Sequence, residues 1–198
     1  MVIHSRVLRA RAVATLFAVA LAIPAAAQSR TDKNLSNIHI DNFGKVNANY
    51  YRGAQPQGHD FADLAALGIK TVVDFTEDGD VREPSIVKGL GMNFYRIPMT
   101  TRDVPTKEQL AQFLKIVNDP ASQPVYVHCQ GGRHRTGVMT AVYRMTSDRW
   151  TSDQAFSEMK HYKYGADFLH PEFKQFVYSF KPAPANSDKT VVALGVRP

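Results

Sequence analysis

An α/β fold with a largely parallel central sheet flanked by helices is the architecture this sequence predicts, on three observations. Short runs rich in β-branched residues, Ile69 to Phe75 and Val125 to Val127, read as strands buried on both faces. Segments of helical length lie between such runs, opening at a proline or a capping residue. Strand and helix therefore alternate, and that alternation builds a parallel sheet with helices packed against it.

Taken in order, Phe43 to Gln55 alternates as one or two strands around a turn at Asn47-Ala48-Asn49. Asp60 caps a short helix over Phe61 to Leu67, which Gly68 ends, and the strand Ile69 to Phe75 follows. Pro84 opens a second helix that stops near Gly91, and Asn93 to Ile97 is the next strand. Thr106 with Gln109 forms a capping box, with Leu110, Phe113, Leu114 and Val117 on the apolar face of a helix reaching about Asn118. Val125 to Val127 is a strand, Gly137 to Thr146 a helix, and Trp150 to His161 and Pro171 to Phe180 are two more.

The ends read differently. Arg6, Arg9 and Arg11 precede an apolar stretch, Ala12 to Ile23, and Ala25-Ala26-Ala27 offers a small-residue cleavage site, so residues 1–27 are expected to be a secretory signal. That stretch is too short to span a bilayer, and no stable membrane insertion is expected. A flexible leader is expected over 28–42, one folded domain over 43–180, and a disordered tail with Pro182 and Pro184 over 181–198. Loss of the signal removes three arginines and no acids, taking the net charge from +6 to +3. This mild balance suits an anionic substrate. No basic stripe or aromatic ladder for nucleic acid is present. There is no metal-ligand spacing and no dinucleotide loop, so no cofactor is expected, and His59, His161 and His170 read as surface or helix-end residues.

The only cysteine lies in Val127-His128-Cys129-Gln130-Gly131-Gly132-Arg133-His134-Arg135-Thr136-Gly137. An unpaired thiol kept in an oxidising compartment is explained poorly by structure and well by chemistry. Between a strand and a helix, Cys129 to Arg135 must fold into a tight loop at the carboxyl end of the strand, where such sheets place ligands. Its amides, with the positive end of the following helix, suit a tetrahedral oxyanion and an ionised thiol. Gln130, Gly131, Gly132, Arg133 and His134 would line that nest. Arg135 brings a planar fork able to grip two oxygens, and Thr136 a hydroxyl for the sulfur when it leaves. Arg133 and His134 either add charge at the mouth or turn away, His134 beneath the loop and Arg133 towards an acid such as Glu83.

His128-Cys129, five residues, then Arg135-Thr136 resembles the signature of the cysteine-dependent protein tyrosine phosphatases, in particular the small dual-specificity type. Tyr51-Arg52-Gly53-Ala54-Gln55-Pro56, Leu67-Gly68-Ile69-Lys70-Thr71-Val72-Val73-Asp74-Phe75 and Ile97-Pro98-Met99 stand in that family's order. Gly132 to Gly137 is similar to the atypical members of plants and fungi. The exported setting, with Ala141-Val142-Tyr143-Arg144 and Trp150, resembles periplasmic bacterial tyrosine phosphatases.

The resemblance implies a dual-specificity phosphatase-like fold and metal-free hydrolysis of a phosphorylated protein or other phosphomonoester through a phosphocysteine on Cys129. It also implies a general acid from Met99 to Pro105, where Asp103 is the only acid, and a supporting role for His128 at the loop base. Full ionisation of a thiol gains only about thirtyfold at pH 7, or ~2 kcal/mol, whereas phosphomonoester hydrolysis needs nearer ~20. The loop amides and Arg135 must supply most of the rest. An inositol polyphosphate or pyrophosphate phosphatase is the second reading, and a phospho-ligand-binding pseudophosphatase the third. A rhodanese-type sulfurtransferase has no need for arginine at this spacing.

Overall fold

A computed structural model describes residues 35–182. Among these residues five strands form one sheet in the order β1-β2-β5-β3-β4: β1 is Gly44–Lys45, β2 Tyr50–Gly53, β3 Thr71–Thr76, β4 Asn93–Met99 and β5 Val125–His128. β1 pairs antiparallel with β2, and the other neighbours are parallel. The sheet is thus mixed, with a parallel core and one short antiparallel edge. The helices are α1 Asp60–Ala66, α2 Glu83–Gly89, α3 Lys107–Asn118, α4 His134–Ser147, α5 Ser152–His161 and α6 Pro171–Ser179.

The apolar strand runs are explained by burial on both faces. Val73, Phe75, Val125 and Val127 join a core with Phe113 of α3, Met139 of α4, Phe156 of α5 and Phe173 of α6. Their neighbours in sequence, Val72 and Tyr126, join a second core with Phe61 and Leu64 of α1 and Val87 of α2. Period-two alternation sends successive side chains to opposite layers, so Cys129, next after His128, falls on the α4 side. The expected capping box at Thr106 and Gln109 is present, and a second one, Thr151 with Gln154, starts α5.

Beyond shifts of one or two residues at strand ends, three differences from the expectation stand out. α4 begins at His134 rather than near Gly137, so Arg135 and Thr136 occupy its first turn. α5 begins at Ser152 rather than Trp150, because Thr151 takes the cap. The flexible leader expected over 28–42 does not hold for its described part: Ile40 is buried in the second core, and Asn42 reaches the Cys129 loop. The apolar side chain of Ile40, between polar neighbours, outweighs the local polarity. The signal segment 1–27 lies outside the described residues, as does all but the start of the 181–198 tail.

Candidate active site

Parallel pairing of β2 with β5 sets Gly53 opposite His128 and brings the end of β2 against the loop that follows β5. The loop is held from outside by its carbonyls. Gln55 N donates to Gln130 O at 3.1 Å. Asn42 Nδ2 donates to Gly132 O at 2.8 Å and to Gly131 O at 3.4 Å, and Arg52 Nη2 to Gly132 O at 2.6 Å. In a trans peptide the N–H points away from its carbonyl. Outward carbonyls at Gln130, Gly131 and Gly132 therefore turn the amides of Gly131, Gly132 and Arg133 inward. Gly132 is required here: its φ is +61°, and a Cβ would lie 2.4 Å from the Gly53 carbonyl.

Inside the loop is a cavity of about 150 Å³ lined by Thr101, Cys129, Gln130, Gly131, Arg133, His134, Arg135 and His170. A larger hollow of about 570 Å³ lies beside α5 but contains no nucleophile of this kind, so volume does not mark the chemistry. Cys129 is 3% exposed at the cavity wall. Arg135, also buried, donates Nη1 to Met99 O at 3.1 Å, which aims its guanidinium along the cavity side. Thr136 is fully buried and its hydroxyl has no hydrogen-bond partner among the described residues, leaving it available to the sulfur.

His134 turns partly beneath the loop, its Nε2 3.0 Å from Tyr164 O and its ring centroid 3.8 Å from that of His170. Burial lowers its pKa, the Tyr164 carbonyl opposes this, and His170, Arg133 and Arg135 lower it further. His134 therefore favours the neutral form. Arg133 is exposed and does not take Glu83 as a partner.

His128 faces the other layer. It is fully buried, with Nε2 2.9 Å from Glu83 Oε1 and Nδ1 3.8 Å from Asp74 Oδ1; neither contact has hydrogen-bond alignment, so both are electrostatic. Arg96 closes the group, 2.8 Å from Asp74 and 3.8 Å from Glu83. Asp74, Glu83 and His128 have the side-chain types and proximity of a metal site, within 4.8 Å of one another. The guanidinium already supplies the positive charge there, so the group reads as a buried ion-pair network bracing β3, β4 and β5. Its other members are 32 to 54 residues from His128 in sequence, beyond the reach of spacing rules.

Asp103 is the residue not brought in. It is exposed, its Oδ2 accepts the Thr100 hydroxyl at 2.9 Å, and Thr101 is the residue of this segment that lines the cavity. His170, expected as a helix-end residue, does precede α6 but also forms a cavity wall. Nothing in its local sequence marks it, since the contact depends on how the 163–170 segment folds back.

A cysteine at the base of an anion-binding loop, on a mixed sheet of this order, defines the architecture of the cysteine-dependent phosphatases. The chain matches the family described as "DSP-PTPase phosphatase fused to NAD+ Kinase" over residues 22–175 and belongs to it. It is 29% identical over 124 residues to the dual specificity protein phosphatase TpbA of Pseudomonas aeruginosa, covering 63% of this chain and 56% of that protein. It is 28% identical over 137 residues to the inositol diphosphatase SIW14 of Saccharomyces cerevisiae, covering 66% and 48%. The chain thus spans about half the length of these two relatives. The crystal structure of the core catalytic domain of the S. cerevisiae PP-IP phosphatase SIW14 with citrate aligns with a TM-score of 0.65 at 24% identity, covering 78% of this chain and 91% of that one. P. aeruginosa TpbA in complex with pTyr aligns with a TM-score of 0.61 at 25% identity, covering 77% and 90%.

Proposed function

We propose that this protein hydrolyses phosphomonoesters on phosphotyrosine or phosphoserine/threonine proteins, without a metal, through a phosphocysteine. The observation that carries the reading is the loop itself: a buried thiol facing a small cavity ringed by inward amides and Arg135. Cys129 Sγ attacks phosphorus, the ester P–O bond breaks, and the leaving oxygen takes a proton from Asp103. Water then attacks phosphorus, giving its proton to the Asp103 carboxylate, the P–S bond breaks, and the Thr136 hydroxyl hydrogen-bonds the departing sulfur. The inward amides and Arg135 hold the equatorial oxygens through both steps. Asp103 reaches the leaving group only if the 100–105 segment turns towards the cavity when substrate is bound.

A second groove of about 360 Å³ adjoins the cavity through Gln130, lined also by Gln55, Gln57, Thr76, Asp78, Gly79 and Asp80. Two carboxylates beside the phosphate cavity suit a peptide better than a molecule crowded with phosphates. An inositol pyrophosphate remains the second reading, favoured by the names of relatives such as SIW14 and by exposed Arg133 at the mouth. Among the described residues no helix is long and apolar enough to cross a membrane. The charge and hydropathy pattern of residues 1–27 supports export of the mature protein to the periplasm or beyond.

Purified mature protein should hydrolyse an aryl phosphate, and Cys129→Ser should lose at least about 10⁴-fold while still binding vanadate or phosphate, because the alcohol is not ionised but the loop remains. Serine activity close to wild type would sink the phosphocysteine route. Rates on a phosphotyrosine peptide and on an inositol pyrophosphate, measured side by side, choose between the two substrate classes.

A further inference from the structure

Arg52 is the largest fully buried side chain among the described residues. No carboxylate lies within ion-pair distance of it there; Glu158, the acid whose field reaches it, is held by Arg144 at 2.7 Å. The guanidinium lies 4.0 Å from the centroid of the Tyr162 ring, Nη2 is spent on Gly132 O, and Nε and Nη1 have no hydrogen-bond partner. Burial pushes its pKa down, opposed by the negative charge that Tyr50, Glu158, Tyr162 and Cys129 carry when ionised. Arginine keeps its proton through such shifts.

A buried cation without a counter-ion is costly, and packing alone would be served better by an apolar side chain. Nor is Arg52 needed to satisfy the Gly132 carbonyl, which Asn42 already holds at 2.8 Å. What only Arg52 brings is positive charge on the closed side of the loop. Its hydrogen bond also polarises the Gly132 peptide, whose N–H, that of Arg133, faces the cavity, and a donor in such a chain is strengthened.

We infer that Arg52 is a positioning residue for the loop chemistry, a buried cation whose counter-charge is the Cys129 thiolate and then the bound phosphoryl group, acting through the Gly132 peptide. The inference rests on the function proposed above. The other charged or titratable groups around Cys129 are His134 and Arg135 at the start of α4, Arg133 in the loop, His170 ahead of α6, and Tyr126 and His128 on β5. Since His134 favours the neutral form and His128 is engaged by carboxylates, Arg52 and Arg135 are the two fixed buried cations at the site.

The test compares wild type, Arg52→Gln and Arg52→Lys by the rate of Cys129 alkylation with iodoacetamide at pH 6 relative to pH 9, alongside thermal melting and kcat. Glutamine can still hydrogen-bond Gly132 but carries no charge, and it should lower the pH 6 to pH 9 ratio about tenfold. Lysine keeps the charge and loses the fork: the ratio should stay within about threefold of wild type while kcat falls about tenfold. A glutamine ratio equal to wild type, or a lysine ratio as low as that of glutamine, overturns the inference. Should the glutamine variant fail to fold, the lysine ratio decides alone, retained in favour or tenfold lower against. Alkylation needs no turnover, so an inactive wild type would sink the proposed function while leaving this measurement readable.

Discussion

Two loops meet at the cavity and are built on opposite principles. Cys129 to Arg135 is held from outside at three successive carbonyls, by Gln55, Asn42 and Arg52, and Gly132 sits against the backbone of Gly53. Thr100 to Asp103 is exposed from Thr101 onward and closes mainly on itself, with Thr100 accepting the Asp103 N–H at 2.9 Å, and Arg102 reaching Leu169 O at 3.2 Å as its tie outward. The contrast follows from their tasks. Amides that stabilise an oxyanion must be fixed before the charge develops, whereas a proton donor has to be in reach only when the leaving group departs.

If the rigid loop is the seat of transition-state stabilisation, its arginine should tolerate least. Arg135→Lys should cost about 10³ in kcat/KM on an aryl phosphate, since a point charge cannot grip two oxygens as the fork does. A loss under about tenfold would mean that the loop amides act without it. The two glycines sharpen the point further. Gly132→Ala puts a Cβ into the Gly53 backbone at a left-handed φ and should cost about 10² in activity together with several degrees of melting temperature. At Gly131 the nearest atoms to a Cβ belong to the flexible Arg133 side chain, at 3.5 Å or more, and alanine there should cost less than about fivefold. Equal effects at the two positions would contradict the outward bracing of the loop.

The same contrast divides what could be read from sequence. The nucleophile loop was legible because its chemistry needs residues that are contiguous, from Cys129 to Thr136, between a strand and a helix. The Thr106 cap and the strands β3 and β5 were legible for the same local reason. Asn42, Arg52 and His170 were not. They arrive through parallel pairing of β2 with β5, or through the fold-back after α5, across 36 to 90 residues of chain. Arg52 stood in the motif that carried the family resemblance, yet an arginine on a strand gives no sign that it will be wholly buried. Asp74, Glu83 and His128 likewise become a group only once β3 and β5 lie side by side.

The exposed loop makes a weaker and more selective prediction. Asp103→Asn should lower kcat about 10²-fold on a phosphotyrosine or phosphoserine peptide, whose leaving groups need a proton, and less than about threefold on nitrophenyl phosphate, whose leaving group departs unprotonated. The difference between substrates is the diagnostic. A small, equal loss on both would remove Asp103 from the reaction, and Glu77, Asp78 and Asp80 on the neighbouring segment would be the next acids to test.

The smallest expected effect joins the rigid loop to the segment that folds back over it. His134 has its pKa lowered chiefly by burial, so the unfolded chain binds a proton more readily than the folded one. Its contribution to stability is fully present above the unfolded value of about 6.5 and is lost as pH falls through the folded value. A proton on His134 would also place positive charge at the amino end of α4 and beside His170, at 3.8 Å between ring centroids. Wild-type melting temperature should therefore drop between pH 7.5 and 5.5 by up to about 4 °C more than that of His134→Gln, which cannot titrate but can still donate to Tyr164 O. Phosphate in the cavity should shrink the difference, because an anion nearby favours the protonated ring and narrows the gap between folded and unfolded values. Parallel melting curves for the two proteins would show that His134 titrates alike in both states, and the acid sensitivity of the loop would then have to be sought at His170.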